Sequence, residues 1–292
     1  METGPHGAET GLTGTVTEGL RTVRLQPTTG FSRVISPSEL WRYRDLGRQI
    51  AARDVTVRYR QSVLGVAWAV LQPVAFMVIF SVVFGRVAGV SSNGLPYPLF
   101  SLTALVPWTF FANAVLLGSD SLVSNSALVS KVYFPRIFVP AGVVAAGLVD
   151  LAISFVVLCA IVFGWGYAPS VAILAVPLLV AIAVVAALGM TSALSAMNVR
   201  FRDVHYIVPF LVQLGLFITP IAYSSSEVAQ PWRTLLAINP MAGVVEGFRW
   251  AMLDAGPAPV AMMVVSGASA IVILALGLAY FDRVERRFAD LI

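Results

Sequence analysis

The stretch RDVTVRYRQSVLGVAWAVLQP, residues 53–73, decides the fold of this chain. Its first part carries three arginines, Arg53, Arg58 and Arg60. Within a few residues the sequence then becomes predominantly apolar as far as residue 84. Arginine head groups favour the polar layer of a lipid bilayer, whereas the apolar run is long enough to cross its hydrocarbon. The stretch therefore predicts a segment that lies at a membrane surface, bends near residues 61–62 and enters the membrane.

The composition supports an integral membrane protein. Of the 292 residues, 58% are hydrophobic and 12% are charged, whereas soluble domains carry about 25% charged residues. The single cysteine, Cys159, and two histidines argue against a disulfide framework and against a Cys- or His-based metal site, so we expect no cofactor in this chain. The basic charge has an explanation in membrane topology, and we expect no nucleic-acid partner.

The segment before the first apolar run divides into two parts. Residues 1–35 are rich in Gly, Thr and Pro without apolar periodicity, which predicts a disordered cytosolic tail. Residues 36–62 begin with a capping pattern, in which Ser36 caps the helix and Glu39 reaches back. The apolar residues that follow recur every three or four positions. This pattern predicts an amphipathic interface helix in the headgroup layer, and the alternative is a solvated helix packed on a soluble partner.

The rest of the chain, 63–292, predicts a domain with six transmembrane helices. The apolar spans are about 63–84, 99–119, 137–163, 171–197, 206–223 and 260–281. Five of them exceed the ~20 residues that a bilayer requires, and the fifth in order is short and contains two prolines. The following segment, 224–256, contains a further apolar stretch, 235–253, which is interrupted by a proline and two charges. It predicts a re-entrant helical hairpin on the extracytoplasmic side, between helices 5 and 6. The expected fold class is thus an all-α integral membrane protein.

The distribution of basic residues predicts the orientation. With the tail, the interface helix, the loops 120–136 and 198–205 and the C-terminus in the cytosol, sixteen of the nineteen Lys and Arg residues lie inside. Cytosolic loops of membrane proteins carry such an excess. We therefore expect a multi-pass protein of the inner or plasma membrane with both termini cytosolic.

Six landmarks occur in order along the chain from about residue 37 to its end. They are the stretch 53–73, SKVYFPR at 130–136, NVRFRDV at 198–204, TPIAY at 219–223, NPMAGVVEGFR at 239–249 and RRFAD at 286–290. In these landmarks the chain resembles the permease subunits of ABC exporters that move lipid-linked polysaccharides and teichoic acids.

The resemblance implies a half-transporter without enzymatic activity of its own. Two copies of the chain would form a homodimer, and each would dock on a cytosolic nucleotide-binding subunit that holds ATP and Mg. The sequence independently indicates that ATP is bound by another subunit. A Walker loop requires Gly-Lys-Ser/Thr, and the only lysine, Lys131, follows Ser130 instead of a glycine. The substrate would be an O-antigen-like or galactan-like polymer on a polyprenyl carrier, or a teichoic acid.

Two basic loops and the interface helix carry the candidate contacts with the ATPase. The candidates are Lys131, Tyr133, Phe134 and Arg136 in the first loop, Arg200, Arg202 and Asp203 in the second, and Arg53 and Arg58 in the helix. In the first loop we expect Tyr133 and Phe134 to anchor in the ATPase while the cations orient the contact. The alternative for the first loop is ordinary basic flanking of a span. In the second loop the charges could simply neutralise one another.

Four residues are candidates for the substrate path. Asp150 lies about halfway along the third span, where an unpaired carboxylate costs several kcal/mol. It either contributes to the path or makes a structural hydrogen bond within the bundle. The aromatic rings of Phe110, Phe111 and Tyr223 could stack on the C–H faces of sugars, or they could belong to the general aromatic complement of a membrane protein.

The predicted hairpin supplies candidates for an exit, Asn239, Glu246 and Arg249. Glu246 and Arg249 lie one helical turn apart, so they can form a pair on one face. Such a pair either takes part in opening the outer exit or only holds the hairpin together.

Three other functions fit parts of the pattern. An ABC exporter of drugs or small lipids would share the topology but lack the landmarks at 53–73 and 239–249. An intramembrane enzyme that processes lipid-linked glycans would need carboxylate pairs or a metal motif near the membrane face, and the sequence shows neither. A passive channel or non-ABC carrier would need no ATPase partner.

Overall fold

The computed structural model describes residues 41–60, 65, 67–131, 134–168, 170–254 and 256–285. All of them belong to one unit of the chain, and the predicted tail, 1–35, lies outside the described residues. The described residues are mostly helical and include no β-strand. The predicted all-α class is therefore confirmed for this part of the chain.

Eleven α-helices are described, joined in places by short 3₁₀ or π segments. In chain order they are α1 Arg44–Arg60, α2 Ala67–Phe80 with a π-helix Ser81–Val87, α3 Tyr97–Ser119, α4 Ser121–Ser124, α5 Ser126–Lys131, α6 Phe138–Gly164, a 3₁₀ helix Val171–Ala175 leading into α7 Val176–Arg200, α8 Val204–Ile218, a 3₁₀ turn Ser225–Glu227, α9 Trp232–Ile238, α10 Pro240–Leu253 and α11 Val260–Glu285.

Five of these segments are long and apolar enough to cross a membrane. They are Ala67–Val87, Tyr97–Ser119, Phe138–Gly164, Val171–Arg200 and Val260–Glu285. They coincide with five of the six predicted spans, so the chain is a multi-pass membrane protein. Their outward faces carry Val, Ile, Leu and Phe side chains, which suits contact with lipid chains.

The remaining predicted span, 206–223, is shorter in the structure. Its helix α8 has 15 residues, which at 1.5 Å per residue is about 22 Å, less than the ~30 Å of hydrocarbon. The helix ends at Ile218 because Pro220 disfavours helical backbone at the residue before it, and Thr219 is extended with ψ 138°. The predicted end at 223 is thus corrected to 218, and the count of six spans stays a prediction.

Helix α3 is the centre of the bundle. Of its most apolar stretch 89% is buried, against 11–33% for the other four long segments. It packs against α2, α6, α7, α8 and α10, so it has apolar residues on all sides instead of one face. The helices that surround α3 are therefore positioned relative to one another by their contacts with it.

Helices α7 and α11 approach each other through glycine. A Cβ on Gly277 would lie 2.1 Å from the carbonyl oxygen of Gly189, and a Cβ on Gly189 would lie 2.6 Å from the Cα of Leu274. Small residues allow such backbone contact between membrane helices, where dispersion and not the hydrophobic effect drives packing. This contact holds the last helix on the core of the bundle.

The segment between α8 and α11 folds back as two helices, α9 and α10. The side chain of Asn239 caps α10 by accepting a hydrogen bond from the backbone N–H of Met241 at 3.0 Å, and Pro240 occupies the first turn. Helix α10 is almost entirely buried against α3, α7 and α11. Its charged residues Glu246 and Arg249 are therefore placed inside the protein.

Candidate functional site

Arg249 is the most deeply buried charge among the described residues. Its side chain is 1% exposed, and its guanidinium lies 3.5 Å from the centroid of the Phe100 ring. Its nitrogens donate to the carbonyl oxygens of Phe100 at 3.1 Å, Pro220 at 2.6 Å and Ile221 at 2.7 Å. A guanidinium has five N–H donors in a fixed fork, so one side chain satisfies several carbonyls of a non-helical turn.

Glu246 and Asn239 hold the same turn from other directions. Glu246 accepts a hydrogen bond from the backbone N–H of Ser225 at 2.8 Å and lies 3.3 Å from Arg249. The amide of Asn239 donates to the hydroxyl of Thr219 at 2.8 Å. The three predicted exit residues thus converge on residues 219–225. The sequence predicted the Glu246–Arg249 pair. No local sequence signal showed that the main partners of Arg249 are backbone carbonyls.

Tyr223, a predicted path residue, belongs to this turn as well. Its hydroxyl donates to the carbonyl oxygen of Ile218 at 2.9 Å, and its own carbonyl oxygen lies 3.3 Å from an Arg249 nitrogen. The side chain is half-buried. The Tyr223 side chain therefore binds a backbone carbonyl at the C-terminal end of α8.

Helix α1 packs lengthwise against α6. A Cβ on Gly47 would lie 2.6 Å from the Phe138 ring, and a Cβ on Gly142 would lie 2.9 Å from Ile50. Twelve residues after Phe138, Asp150 contacts the last turn of α1. The contact positions advance in the same direction on both helices, so α1 and α6 run side by side and parallel. The prediction of a helix lying flat in the headgroup plane did not anticipate this packing.

Asp150 is paired through the end of α1. Arg58 forms an ion pair with one carboxylate oxygen, and the hydroxyl of Tyr59 donates to the other. Burial, and then the hydrogen bond and charge of Asp150, raise the pKa of Tyr59 to about 12, so its phenol keeps its proton at physiological pH. Sequence analysis assigned Arg58 to the ATPase contact and Asp150 to the path. In the structure Arg58 and Asp150 contact each other, so the two predicted sites share this ion pair.

The two predicted path phenylalanines of α3 lie in the core. Phe110 is 3% exposed and packs against Gly147 of α6, while Phe111 is 9% exposed with its ring 5.7 Å from that of Trp108. Phe110 also lines a pocket between α1, α2, α3 and α6, and Phe111 is not among its lining residues.

The loops 120–136 and 198–205 meet at one end of the bundle, here called the basic end. Asp120, at the end of α3, accepts a hydrogen bond from the amide of Asn198 at 2.7 Å, and its other oxygen lies 2.8 Å from Nδ1 of His205. The guanidinium of Arg136 donates to the carbonyl oxygen of Glu285 at 3.3 Å. Sequence analysis gave no role to Asp120 or His205, because their proximity depends on how distant helices end.

The first loop is only partly available for a partner. Lys131 is exposed, and Tyr133 lies outside the described residues. Phe134 is 5% exposed and packs with buried residues such as Leu122 and Phe281. The expectation that Phe134 anchors in the ATPase is therefore corrected: its apolar ring fills the subunit's own core instead.

The second loop is exposed at all three predicted positions. Arg200, Arg202 and Asp203 face outward, and within the described part of the chain no ion pair joins them. The suggestion that they only neutralise one another has no support in this geometry. Arg53 of α1 lies close to the same end, since it donates to the side chain of Asn125 at 2.7 Å.

Comparisons with known proteins cover most of the chain. The sequence model of a family described as "ABC-2 type transporter" matches residues 47–253. The O-antigen export system permease protein RfbA of Myxococcus xanthus is 29% identical over 254 residues, which cover 86% of this chain and 97% of that protein. A protein of the same name from Klebsiella pneumoniae is 27% identical over 85% of this chain and 95% of its own length. The polysialic acid transport protein KpsM of Escherichia coli is 21% identical over 69% of this chain and 78% of its own.

Proposed function

This chain belongs to the ABC-2 type transporter family, and from that premise we propose that it is the permease subunit of an ATP-driven exporter of lipid-linked polysaccharide. The observation that carries the proposal is its similarity, over 86% of its length, to a permease named for O-antigen export. The five apolar segments that can cross a membrane supply the structural support.

The physical problem of export explains why a permease is needed. A glycan carries many hydroxyl groups, and each costs several kcal/mol to transfer from water into hydrocarbon without a hydrogen-bond partner. A polymer therefore requires a continuous polar or aromatic passage, while its polyprenyl anchor can remain in the bilayer. We propose that two copies of the chain form this passage along their shared interface, with α2 and α8 lining it. The large apolar side chains that both helices expose in the single subunit favour such a pairing.

In this proposal the energy for export comes from ATP hydrolysis in a partner subunit. We propose that two copies of a cytosolic ATPase, which bind ATP and Mg, dock on the basic end. Lys131, Arg200 and Arg202 are exposed there and can meet acidic or polar groups. The hydrogen bond of Asn198 to Asp120 and the contact of His205 with the same carboxylate connect this surface to the end of the central helix α3. A displacement of the loop would thereby reach the core of the bundle.

The short helix α8 and the turn after it together supply the sixth crossing in this proposal. Non-helical backbone is tolerated at membrane depth only where protein satisfies its polar groups. Residues 219–225 meet this condition, because Arg249, Glu246 and Asn239 bind their carbonyl, N–H and hydroxyl groups. Helices α9 and α10 then form the re-entrant hairpin on the extracytoplasmic side, with both termini of the chain in the cytosol.

The proposed cargo is an O-antigen-like or galactan-like polymer on a polyprenyl carrier, with a teichoic acid as the second candidate. The test is depletion of this chain in its host, followed by extraction of the membrane lipids. We expect a lipid-linked polymer to accumulate on the cytosolic side and an ATPase to co-purify with the chain. If the polymer reaches the cell surface at its normal rate without the chain, the proposal is wrong. Accumulation of a drug or small lipid instead would point to the other exporter class.

A further inference from the structure

A pocket of 280 Å³ lies between helices α1, α2, α3 and α6. It is here called the α2–α3 pocket, after the helices that carry Gln72, Thr109 and Asn113. Two rings, those of Trp68 and Phe110, contribute apolar surface. The polar lining consists of Arg58, Tyr59, Gln72, Thr109, Asn113, Asp150 and Ser154. It is therefore both polar and aromatic.

The pocket lies within the depth of the candidate spans. Gln72, Asn113 and Asp150 all fall inside segments that are long and apolar enough to cross a membrane. Gln72 lies near the start of α2 and Asn113 near the end of α3, which is the cytosolic half of both helices in the proposed topology. Lipid chains offer no hydrogen bonds at this depth, so polar groups here need partners in the protein, in water or in a ligand.

The protein itself leaves part of this polar surface unpaired. The amide of Asn113 donates to the side-chain oxygen of Gln72 at 3.3 Å, and Ser154 donates to the carbonyl oxygen of Ala69 at 2.7 Å. The side-chain N–H₂ of Gln72, the side-chain oxygen of Asn113 and the hydroxyl of Thr109 form no hydrogen bond with any described residue. They offer donors and an acceptor to whatever fills the pocket.

The charge of the lining argues against a phosphate ligand. Among the described lining residues Arg58 is the one cation and is already paired with Asp150, so this part of the lining is neutral as a whole. Phosphate groups are recognised in proteins by unpaired Arg or Lys and by several N–H donors. A sugar differs, because each of its hydroxyl groups both donates and accepts, and its apolar C–H face packs on aromatic rings. The volume is at the lower end of the ~300–1,000 Å³ typical of ligand pockets, which suits a single sugar unit.

We propose that the α2–α3 pocket binds one neutral sugar unit of the lipid-linked substrate during loading from the cytosolic side. The inference rests on the proposed export of a glycan. The carrier's diphosphate stays outside the pocket, while Gln72, Thr109 and Asn113 hydrogen-bond the sugar and Trp68 packs against its face. Arg58 and Asp150 close the wall of the pocket by binding each other.

Thiol protection in the intact transporter tests this directly. With Cys159, the single cysteine, replaced by alanine, Asn113→Cys and Thr109→Cys are each expressed with the ATPase partner in the natural host. A small neutral maleimide is applied to cells that synthesise the lipid-linked polymer and to cells in which its synthesis is blocked after the carrier diphosphate. We expect the reaction to be at least about threefold slower when the polymer is present, because a bound sugar excludes the reagent.

Ser124→Cys, exposed at the basic end, is the matched control and should react equally in both kinds of cell. Equal rates at both pocket positions in the two cell types show a pocket filled by water only, and this overturns the inference. A slower reaction in cells that contain only the sugar-free carrier than in cells that contain the polymer shows a lipid site and overturns it as well. Thiols that stay unreactive in both cell types show a closed, dry pocket, with the same consequence.

The functional counterpart is Asn113→Leu, which removes the amide at similar volume. We expect about a tenfold rise in the substrate concentration for half-maximal stimulation of the ATPase, with an unchanged maximum, as a lost hydrogen bond to a ligand gives. Export by the unaltered chain separates the two proposals. If that chain exports no polymer, the proposed function fails. If it exports polymer and the pocket thiols are not protected, only the pocket assignment fails.

Discussion

Arg58 and Asp150, 92 residues apart in the chain, form an ion pair that fastens the end of α1 to the middle of α6. The Arg58 and Asp150 side chains are only 24% and 18% exposed. Asp150 would otherwise be an isolated carboxylate within an apolar helix, and such a group is costly in a membrane. The pair also links the helix before the first span to a helix that begins at the basic end.

Removal of one partner should destabilise the subunit. For Asp150→Ala we expect a loss of about 1–3 kcal/mol, less than for a fully buried pair because both groups retain some exposure. The measurement is the thermal unfolding of the purified transporter. Asp45→Ala, which removes an exposed pair with Arg48 in the same helix α1, should change the stability by less than about 0.5 kcal/mol. Equal effects of the two substitutions would contradict the importance of the Arg58–Asp150 contact.

Arg249 should be the least replaceable charge of the hairpin. Arg249→Gln removes most donors to the carbonyls of residues 220–223 and leaves Glu246 without its cation, so we expect a loss of about 3–5 kcal/mol. Arg249→Lys should recover little, because an ammonium cannot reproduce the planar fork. Arg233→Gln on α9 is exposed and should be nearly neutral. Protease sensitivity of the segment around residue 225, in addition to unfolding temperature, reports whether the turn has opened.

The exposed cations of the basic end should control coupling and leave stability unchanged. Lys131→Glu and Arg202→Glu are expected to lower both polymer export and substrate-stimulated ATP hydrolysis severalfold, because they place negative charge on the proposed docking surface. Lys131→Arg keeps the charge and should retain activity. Unfolding temperatures should stay within the scatter of the unaltered protein. Normal export by both charge reversals would remove these residues from the proposed contact with the ATPase.

The glycine contact between α7 and α11 should tolerate no side chain. Gly277→Ala would bring its Cβ within 2.1 Å of a backbone oxygen, so the helices must separate, and we expect a loss of about 2–4 kcal/mol. Gly267→Ala is the control on the same helix, since its Cβ would lie 3.6 Å from a side-chain carbon of Ile182. That change should be neutral or slightly stabilising, because alanine is favoured over glycine in a helix. Similar unfolding temperatures for the two variants would contradict the close approach.

Hydropathy and local sequence signals predicted the helices well. A long apolar run is enough to predict a membrane span. Five of the predicted spans therefore coincide with long helices of the structure. The cap of α10 was also encoded locally, in Asn239-Pro240. The end of α8 was predicted five residues too late, although Pro220 was visible, because the residues after it remain apolar. There the hydropathy pattern continues while the backbone leaves the helix.

The position of α1 and the burial of Phe134 illustrate what local patterns miss. Helix α1 has arginines on several faces, which suits a surface, yet Gly47 and Gly142 allow it to pack closely along α6. Phe134 lies in a basic loop, which suggested an exposed anchor, but it is buried in one cluster with Leu122 of α4 and Phe281 of α11. In both cases the outcome depends on how separate helices pack against one another.

The sequence by itself determined the membrane class, the positions of the long spans, the family landmarks and the identity of the charged residues. The tertiary structure alone decided which of those charges meet, as in Arg58 with Asp150, Arg249 with the 220–223 carbonyls, and Asp120 with Asn198 and His205. The physical reason is one of range. Hydropathy and capping act between neighbours in the chain, whereas the pairing of two side chains requires the rotation and register of separate helices, which only their mutual packing sets.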